Sequence, residues 1–280
     1  MRETDYRPLC GESFAEYRER LRALGIKMPT EKMIKTPEQI EGCREAGRIN
    51  SLVLDAVEKS VRVGMSTLDV DEIVKAELSR LGATSATLGF EGFPASVCTS
   101  KNNVICHGIP SARDIIREGD ILNVDCTSVY RGYYGDASRM LTFGEVSDTA
   151  RRLVEVTREC VELAVKEIRP YSTRLGDIGF AINSHAKKNG FSVVREIGGH
   201  GVGLAMHEDP FVCHTGLRGM GLLLVPGMIF TVEPMVNEGR AKFYIDPKDG
   251  WTVRTLDGSL SAQIEYELLV TEQGVEILSK

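Results

Sequence analysis

Five side chains of this 280-residue sequence have the chemistry to hold cations together: Asp125, Asp136, His200, Glu233 and Glu265. Asp125 ends the run Ile121-Leu122-Asn123-Val124, whose apolar, β-branched character is that of a buried strand. A carboxylate on such a strand is costly to bury unless it is paired or metal-bound. Glu233 occupies the matching position of a second copy: Gly119-Asp120-Ile121-Leu122-Asn123-Val124-Asp125 and Gly227-Met228-Ile229-Phe230-Thr231-Val232-Glu233 share one pattern. Four carboxylates gathered in one place raise one another's pKa values unless cations neutralise them. Two divalent ions would do so. An oxygen-rich set with one nitrogen suits manganese, iron or cobalt, and zinc is also compatible.

Asp125 and Asp136 lie on either side of Tyr130-Arg131-Gly132-Tyr133-Tyr134-Gly135, whose glycines favour a turn. A hairpin there puts both carboxylates on one face of a sheet. The alternative, a solvent-facing Asp pair, fits Asp125 poorly because its strand is apolar. His200 lies in Gly198-Gly199-His200-Gly201-Val202-Gly203, which predicts an exposed imidazole on backbone that approaches a ligand closely. The glycine spacing is not that of a dinucleotide fingerprint. His185, near Lys187 and Lys188, reads as solvated, and His214, beside Cys213, as structural. Cys106 precedes His107, but no nucleophile–base arrangement accompanies it.

The elements that must position these groups repeat as well. Gly82 and Gly190 close helical stretches at the same offset as Gly119 and Gly227, and Ser66-Thr67 and Ser172-Thr173 open them. Asp136 is followed six residues on by Thr142, and Glu265 by Thr271. A domain-sized period implies two fused halves on a pseudo-two-fold axis, rather than a solenoid. Helices are predicted from Pro37 to about Lys59 and over about 67–81, 149–168 and 175–189, with strands and hairpins over 95–143 and strand for most of the remainder. The order is that of an α+β fold, with helices outside a curved antiparallel sheet. Residues 1–36 read as an N-terminal extension. Ser13 and Glu16 suit a capping box, Phe14, Tyr17, Leu21 and Leu24 recur at helical spacing, and Gly25 suits the end of the helix. Docking of this short amphipathic helix on the main body, 37–280, is favoured over a partner-binding role.

Composition narrows the class. The formal net charge of −6 argues against a polyanion-binding protein, so no specific nucleic acid is expected. No stretch is long and apolar enough to span a bilayer, and Met1-Arg2-Glu3-Thr4-Asp5 lacks the apolar region of a signal peptide. Seven cysteines without a C-x-x-C pair fit reduced thiols in a cytoplasmic protein.

From about Lys35 to its C-terminus the chain resembles bacterial type I methionine aminopeptidases, which have the pita-bread fold. The motifs that carry the resemblance are Gly92-Phe93-Pro94-Ala95-Ser96-Val97-Cys98, Val104-Ile105-Cys106-His107-Gly108-Ile109-Pro110, Asn123-Val124-Asp125, Gly135-Asp136, Gly199-His200-Gly201-Val202-Gly203, Thr231-Val232-Glu233-Pro234-Met235 and Ser261-Ala262-Gln263-Ile264-Glu265. The resemblance implies a pita-bread metallopeptidase domain over 37–280. It implies that Asp125 chelates one ion, Asp136 and Glu265 bridge two, and His200 and Glu233 complete the second, with cobalt, manganese, iron or zinc as the metal. It further implies a metal-activated hydroxide as nucleophile and Glu233 as proton acceptor. His107 would contact the scissile amide, and His207 the carbonyl oxygen. The methionine pocket would involve Phe90, Phe93, Cys98, Met206 and Trp251. Phe90 and Phe93 replace tyrosines often found there, Met206 replaces phenylalanine, and Tyr266 replaces a histidine after the ligand Glu265. These departures bear on pocket shape and on the bonds behind the ligands.

The implied activity is removal of initiator methionine from nascent polypeptides with a small second residue, by a monomer in the cytoplasm. That leaves room for a transient ribosome association. A proline-specific peptidase of the same fold would usually carry a larger N-terminal domain. A non-catalytic relative would typically have lost metal ligands, and all five are present.

Overall fold

The computed structural model describes residues 6–280. Residues 1–5, on which the reading of a missing signal-peptide region rests, lie outside the described residues.

Among the described residues, five α-helices cover the sheets: α1 (Phe14–Ala23), α2 (Pro37–Ser60), α3 (Thr67–Arg80), α4 (Asp148–Glu167) and α5 (Leu175–Lys188). The capping box predicted at Ser13 is present, and a second one opens α2. The Ser13 hydroxyl accepts from the Glu16 N–H while the Glu16 carboxylate takes the Ser13 N–H, and Thr36 and Gln39 do the same at α2, where Pro37 opens the first turn. Helix α1 is docked, with Tyr17 and Leu21 buried in the same core as α4 and α5. Leu24, expected on that apolar face, caps the helix instead and is exposed.

Two helix pairs back two cores. Helices α2 and α3 pack on the hairpin of strands Ile121–Tyr130 and Tyr133–Thr142. Helices α4 and α5 pack on the second half, which contains Ile229–Val232 and Tyr266–Thr271. Among the described residues the strands form four sheets, and all the pairings within them are antiparallel. The halves join where Ser138 and Glu265 exchange backbone hydrogen bonds of 3.3 and 3.2 Å. Nδ2 of Asn123 reinforces the seam, donating to Ser138 Oγ at 2.9 Å and to the Gln263 carbonyl at 2.8 Å. Strand structure does not fill 95–143: residues 107–120 are irregular, and of them His107 lines the site cavity.

The backbone keeps the duplication. Gly119 (φ 86°) and Gly227 (φ 90°) both take the left-handed conformation that glycine alone adopts without strain. Helix starts follow it too, at a different residue from the one expected. Helix α5 begins not at Ser172-Thr173 but after Arg174, which stands in the place of Ser66 at α3. The Asp69 carboxylate accepts the Ser66 N–H at 2.7 Å, and Asp177 accepts the Arg174 N–H at 2.8 Å. The acidic side chain in the first turn thus preserves the cap where the hydroxyl is lost. Ser172 and Thr173 belong to the preceding turn, where the Thr173 hydroxyl donates to the Glu167 carbonyl at 2.7 Å.

One glycine couples a helix to the site. A Cβ on Gly135 would lie 2.4 Å from the carbonyl oxygen of Ala46 in α2. Neither backbone can yield cheaply, because Ala46 is mid-helix and Gly135 is mid-strand. Gly135→Ala is expected to destabilise the protein by about 3 kcal/mol, read as a lower denaturant midpoint at unchanged slope.

Candidate active site

Register places the first two carboxylates. Asp125 pairs with Ser138 and Asp136 with Thr127 across the hairpin, so residues 125, 127, 136 and 138 share one face. The predicted turn is present: Arg131 (φ 51°) and Gly132 (φ 85°) form a two-residue connection with both φ positive. Asp136 is buried, and Asp125 is half-buried at the cavity wall. From the second half, Glu265 arrives beside Ser138, and Glu233 follows the strand Ile229–Val232 that pairs with Tyr266–Thr271. His200 lies in the short strand Gly199–Gly201, joined to Ile229–Val232 by the pairing of Gly201 with Phe230. Donor atoms of Asp136, His200 and Glu265 all lie within 4.8 Å of one another.

His200 is not the exposed group its glycines suggest; its side chain is only 15% exposed. Those glycines serve backbone packing instead. A Cβ at Gly199 would meet the Thr231 carbonyl at 2.3 Å, and one at Gly201 the Asp209 carbonyl at 2.2 Å. The imidazole is oriented by Nδ1, 3.0 Å from the Gly201 carbonyl oxygen. A proton on Nδ1 leaves the Nε2 lone pair facing Asp136 Oδ2 at 3.7 Å and Glu233 Oε1 at 3.5 Å. Burial lowers the His200 pKa, which keeps that lone pair free.

The ligands are held from behind by Thr127 and Glu267, which stand outside the sequence motifs, and by Thr231, Gln263 and His214. The Thr127 hydroxyl donates to Asp136 Oδ1 at 2.9 Å, and the Asp136 N–H donates to Oε2 of buried Glu267 at 2.9 Å. Glu233 receives the Thr231 hydroxyl at 2.8 Å and the Gln263 amide at 3.0 Å. Its own N–H donates to Nε2 of His214 at 3.2 Å. His214 is structural, as expected, and burial holds its pKa down to about 3, so it stays a neutral acceptor. Tyr266 does not stand behind the ligands. It points to the opposite side of its strand, against the core under α4, and Glu267, two residues from Glu265, takes the ligand-facing side. His185 is not simply solvated; its Nε2 lies 2.6 Å from the Glu159 carboxylate on α4.

All twelve singled-out residues line one cavity of about 470 Å³: the five donors, His107, His207, Phe90, Phe93, Cys98, Met206 and Trp251. Phe93 meets Trp251 edge-on at 5.3 Å, and the His107 ring stands 6.1 Å from Trp251. His207 stacks edge-on between His200 at 4.4 Å and Phe90 at 5.2 Å. Burial and the neighbouring His207 hold His107 down to about 4; burial and His200 do the same for His207. Both imidazoles are neutral at pH 7. His107 adopts a left-handed backbone (φ 56°). The bend tucks Gly108 so close to the strand Cys98–Lys101 that a Cβ there would lie 2.1 Å from the Thr99 carbonyl. The histidine–glycine pair therefore aims the imidazole into the cavity at a cost in backbone strain.

The Met206-His207 loop is anchored by an ion pair between buried Lys35 and half-buried Glu208. Lys35 Nζ lies 2.5 Å from Glu208 Oε2, and Glu208 Oε1 accepts the Leu204 and Ala205 N–H groups at 2.7 and 3.1 Å.

The sequence matches the model of metallopeptidase family M24 over residues 41–272. The chain belongs to this family. It is 46% identical over 241 residues to methionine aminopeptidase A of Synechocystis sp., covering 86% of this chain and 94% of that protein. To the methionine aminopeptidase of Escherichia coli K12 it is 45% identical over 247 residues, covering 88% and 93%. The crystal structure of methionine aminopeptidase from Rickettsia prowazekii superposes with a TM-score of 0.86 at 40% identity, covering 88% of this chain and 99% of that one. The fold is the pita-bread fold, and the enzyme class is that of metal-dependent aminopeptidases.

The donor set fits the divalent ions that this M24 membership implies. Among the described residues, no lysine or arginine lines the cavity. Burial, then the Asp136 charge, pushes Asp125 up to about 8, and burial pushes Asp136 up to about 7. Glu233 and Glu265 rise well above the carboxylate range through burial and the surrounding carboxylates. Cations are the counter-charge this arrangement lacks. Protons and metal therefore compete. In chelator-treated protein these carboxylates bind protons more tightly folded than unfolded, so stability falls as pH rises from about 4 towards 8. Metal affinity rises over the same range, and binding at pH 7 releases protons. Calorimetric titration with Mn²⁺ in buffers of different ionisation enthalpy measures that release; buffer-independent heats would contradict it.

Proposed function

We propose that this protein removes methionine from the N-terminus of nascent polypeptides with a small second residue. It does so as a cytoplasmic monomer that engages chains as they emerge, with a transient ribosome association. The observation that carries this reading is the convergence of twelve side chains from both halves of one chain on a single cavity. No second subunit is needed to complete it. No helix among the described residues is long and apolar enough to cross a membrane.

Asp125, Asp136, His200, Glu233 and Glu265 would hold the two ions. When bound, the ions lower the pKa of a water and polarise the scissile carbonyl. Glu233 takes the proton of the attacking water. Its backbone is pinned by His214 and its oxygens by Thr231 and Gln263, so the acceptor does not swing away. Neutral His207 donates to the carbonyl oxygen, where charge develops. Neutral His107 contacts the scissile amide and assists the leaving group. Phe93, Cys98, Trp251, Met206 and Phe90 enclose the thioether side chain, since sulfur and aromatic edges are mutually favourable.

Purified protein with Mn²⁺, Fe²⁺ or Co²⁺ should release methionine from Met-Gly peptides and leave X-Pro peptides intact. Cleavage of X-Pro alone would assign a proline-specific peptidase. His107→Ala should lower kcat by roughly 10²-fold with metal content unchanged. A fully active variant would remove His107 from the mechanism.

A further inference from the structure

A second cavity, of about 500 Å³, adjoins the first: Asp209 and Phe211 line both. On the strand Glu208–Val212 these two side chains face outward while Pro210 and Val212 are buried. Phe211 is 53% exposed although it lines the active-site cavity, so it stands at the rim. The groove beyond it is apolar, walled by Met33, Leu175, Leu217, Met220 and Leu222. Leu217 is 69% and Met220 56% exposed, which concentrates large apolar surface in one place.

That surface is held rigidly. Gly219 donates its N–H to Asp177 Oδ1 at 2.8 Å, and its carbonyl accepts Arg174 Nη1 at 2.8 Å. The Gly176 N–H donates to the Met220 carbonyl at 2.9 Å. Gly216 lies flat on α5, where a Cβ would sit 2.7 Å from Gly176 Cα. The loop over residues 213–222 is thus fastened to the start of α5 by its backbone while its apolar side chains are left outside. Large apolar side chains gathered at one exposed place are the mark of a binding surface.

We infer that this groove is an extended substrate subsite that takes apolar side chains of the polypeptide beyond its second residue. The inference rests on the peptidase reading. A chain whose first residue lies among the metal ligands must leave past the rim, and Asp209 and Phe211 are the part of the rim continuous with the groove. Leucine and methionine walls suit varied apolar sequences better than one fixed sequence, because a thioether side chain repacks easily.

The test compares Met-Gly-Ser, Met-Gly-Ser-Ser-Ser-Ser-Ser and Met-Gly-Ser-Leu-Phe-Leu-Ser on Mn²⁺-loaded enzyme. KM for the apolar heptapeptide should be roughly tenfold below that for the polar one, at similar kcat. The double variant Leu217→Ser/Met220→Ser, altered only at exposed positions, should abolish that difference and leave tripeptide kinetics unchanged. Equal KM values in the wild type, or a preference that survives in the variant, overturn the subsite while the peptidase reading stands. A dimer lost on sedimentation in the variant, with KM unmoved, would give the groove to a second copy of the chain and likewise overturn it. Absence of methionine release from the tripeptide overturns both readings.

Discussion

Asp136→Asn abolishes methionine release, by on the order of 10³-fold or more, and takes most of the bound metal with it. Asp136 sits at the junction of the two halves. Thr127 fixes one of its oxygens, Glu267 accepts its N–H, and His200 faces it at 3.7 Å. Asparagine keeps the shape and the Thr127 contact but loses the charge that two cations require. The same change should stabilise the chelator-treated protein at pH 8. Burial has raised the pKa of this carboxylate to about 7, so ionising it works against the fold. Removing it should gain on the order of 2 kcal/mol, read as a higher melting temperature in EDTA. Opposite signs for activity and metal-free stability distinguish a metal ligand from a residue that merely packs. If activity and stability fell together, Asp136 would be structural.

Glu208→Ala destabilises the protein by about 3–5 kcal/mol. The Lys35 side chain is 1% exposed, and Glu208 is its charge partner. Alanine leaves the ammonium buried without a counter-ion and frees the Leu204 and Ala205 N–H groups. For a chain of this size the melting temperature should fall by roughly 10 °C. KM should rise as well, since Met206 and His207 ride on the loop that Glu208 ties down. The double variant Lys35→Met/Glu208→Leu should recover much of the stability, because removing both charges is far cheaper than removing one. It should not recover KM, because the loop's N–H groups still lack their acceptor. Full recovery of both would mean that the ion pair has no part in shaping the site.

Much of this was legible in the residues. Duplicated glycine-to-carboxylate strands announce two halves, and the glycine pairs at 82/190 and 119/227 keep matching backbone. Helices were legible from their caps: Thr36-Pro37-x-Gln39 and Ser66-x-x-Asp69 carry their own start signals. At α5 the start signal takes a different form. Arg174 has no capping hydroxyl, and nearby Ser172-Thr173 imitates one, although Asp177 does the work. The metal donors were legible because buried carboxylates are rare without a purpose.

Their supports were harder to see. Gln263, Glu265 and Glu267 alternate along one chain segment, a period of two that marks one face of a strand. Tyr266 lies on the other face of that strand, against the core. The Lys35–Glu208 pair joins residues far apart in the chain, and neither lies in a pattern of its own. His200 misled for a physical reason. Glycines around a histidine permit either ligand approach or strand-on-strand packing, and only the Thr231 and Asp209 carbonyls pressing on Gly199 and Gly201 decide between them.

The central claim is that five donors from two halves of the chain hold two cations. Anomalous diffraction from crystals grown with Mn²⁺ tests it directly. Two peaks should appear among Asp125, Asp136, His200, Glu233 and Glu265. A map without anomalous density there, or with a single ion bound elsewhere in the molecule, would contradict the account.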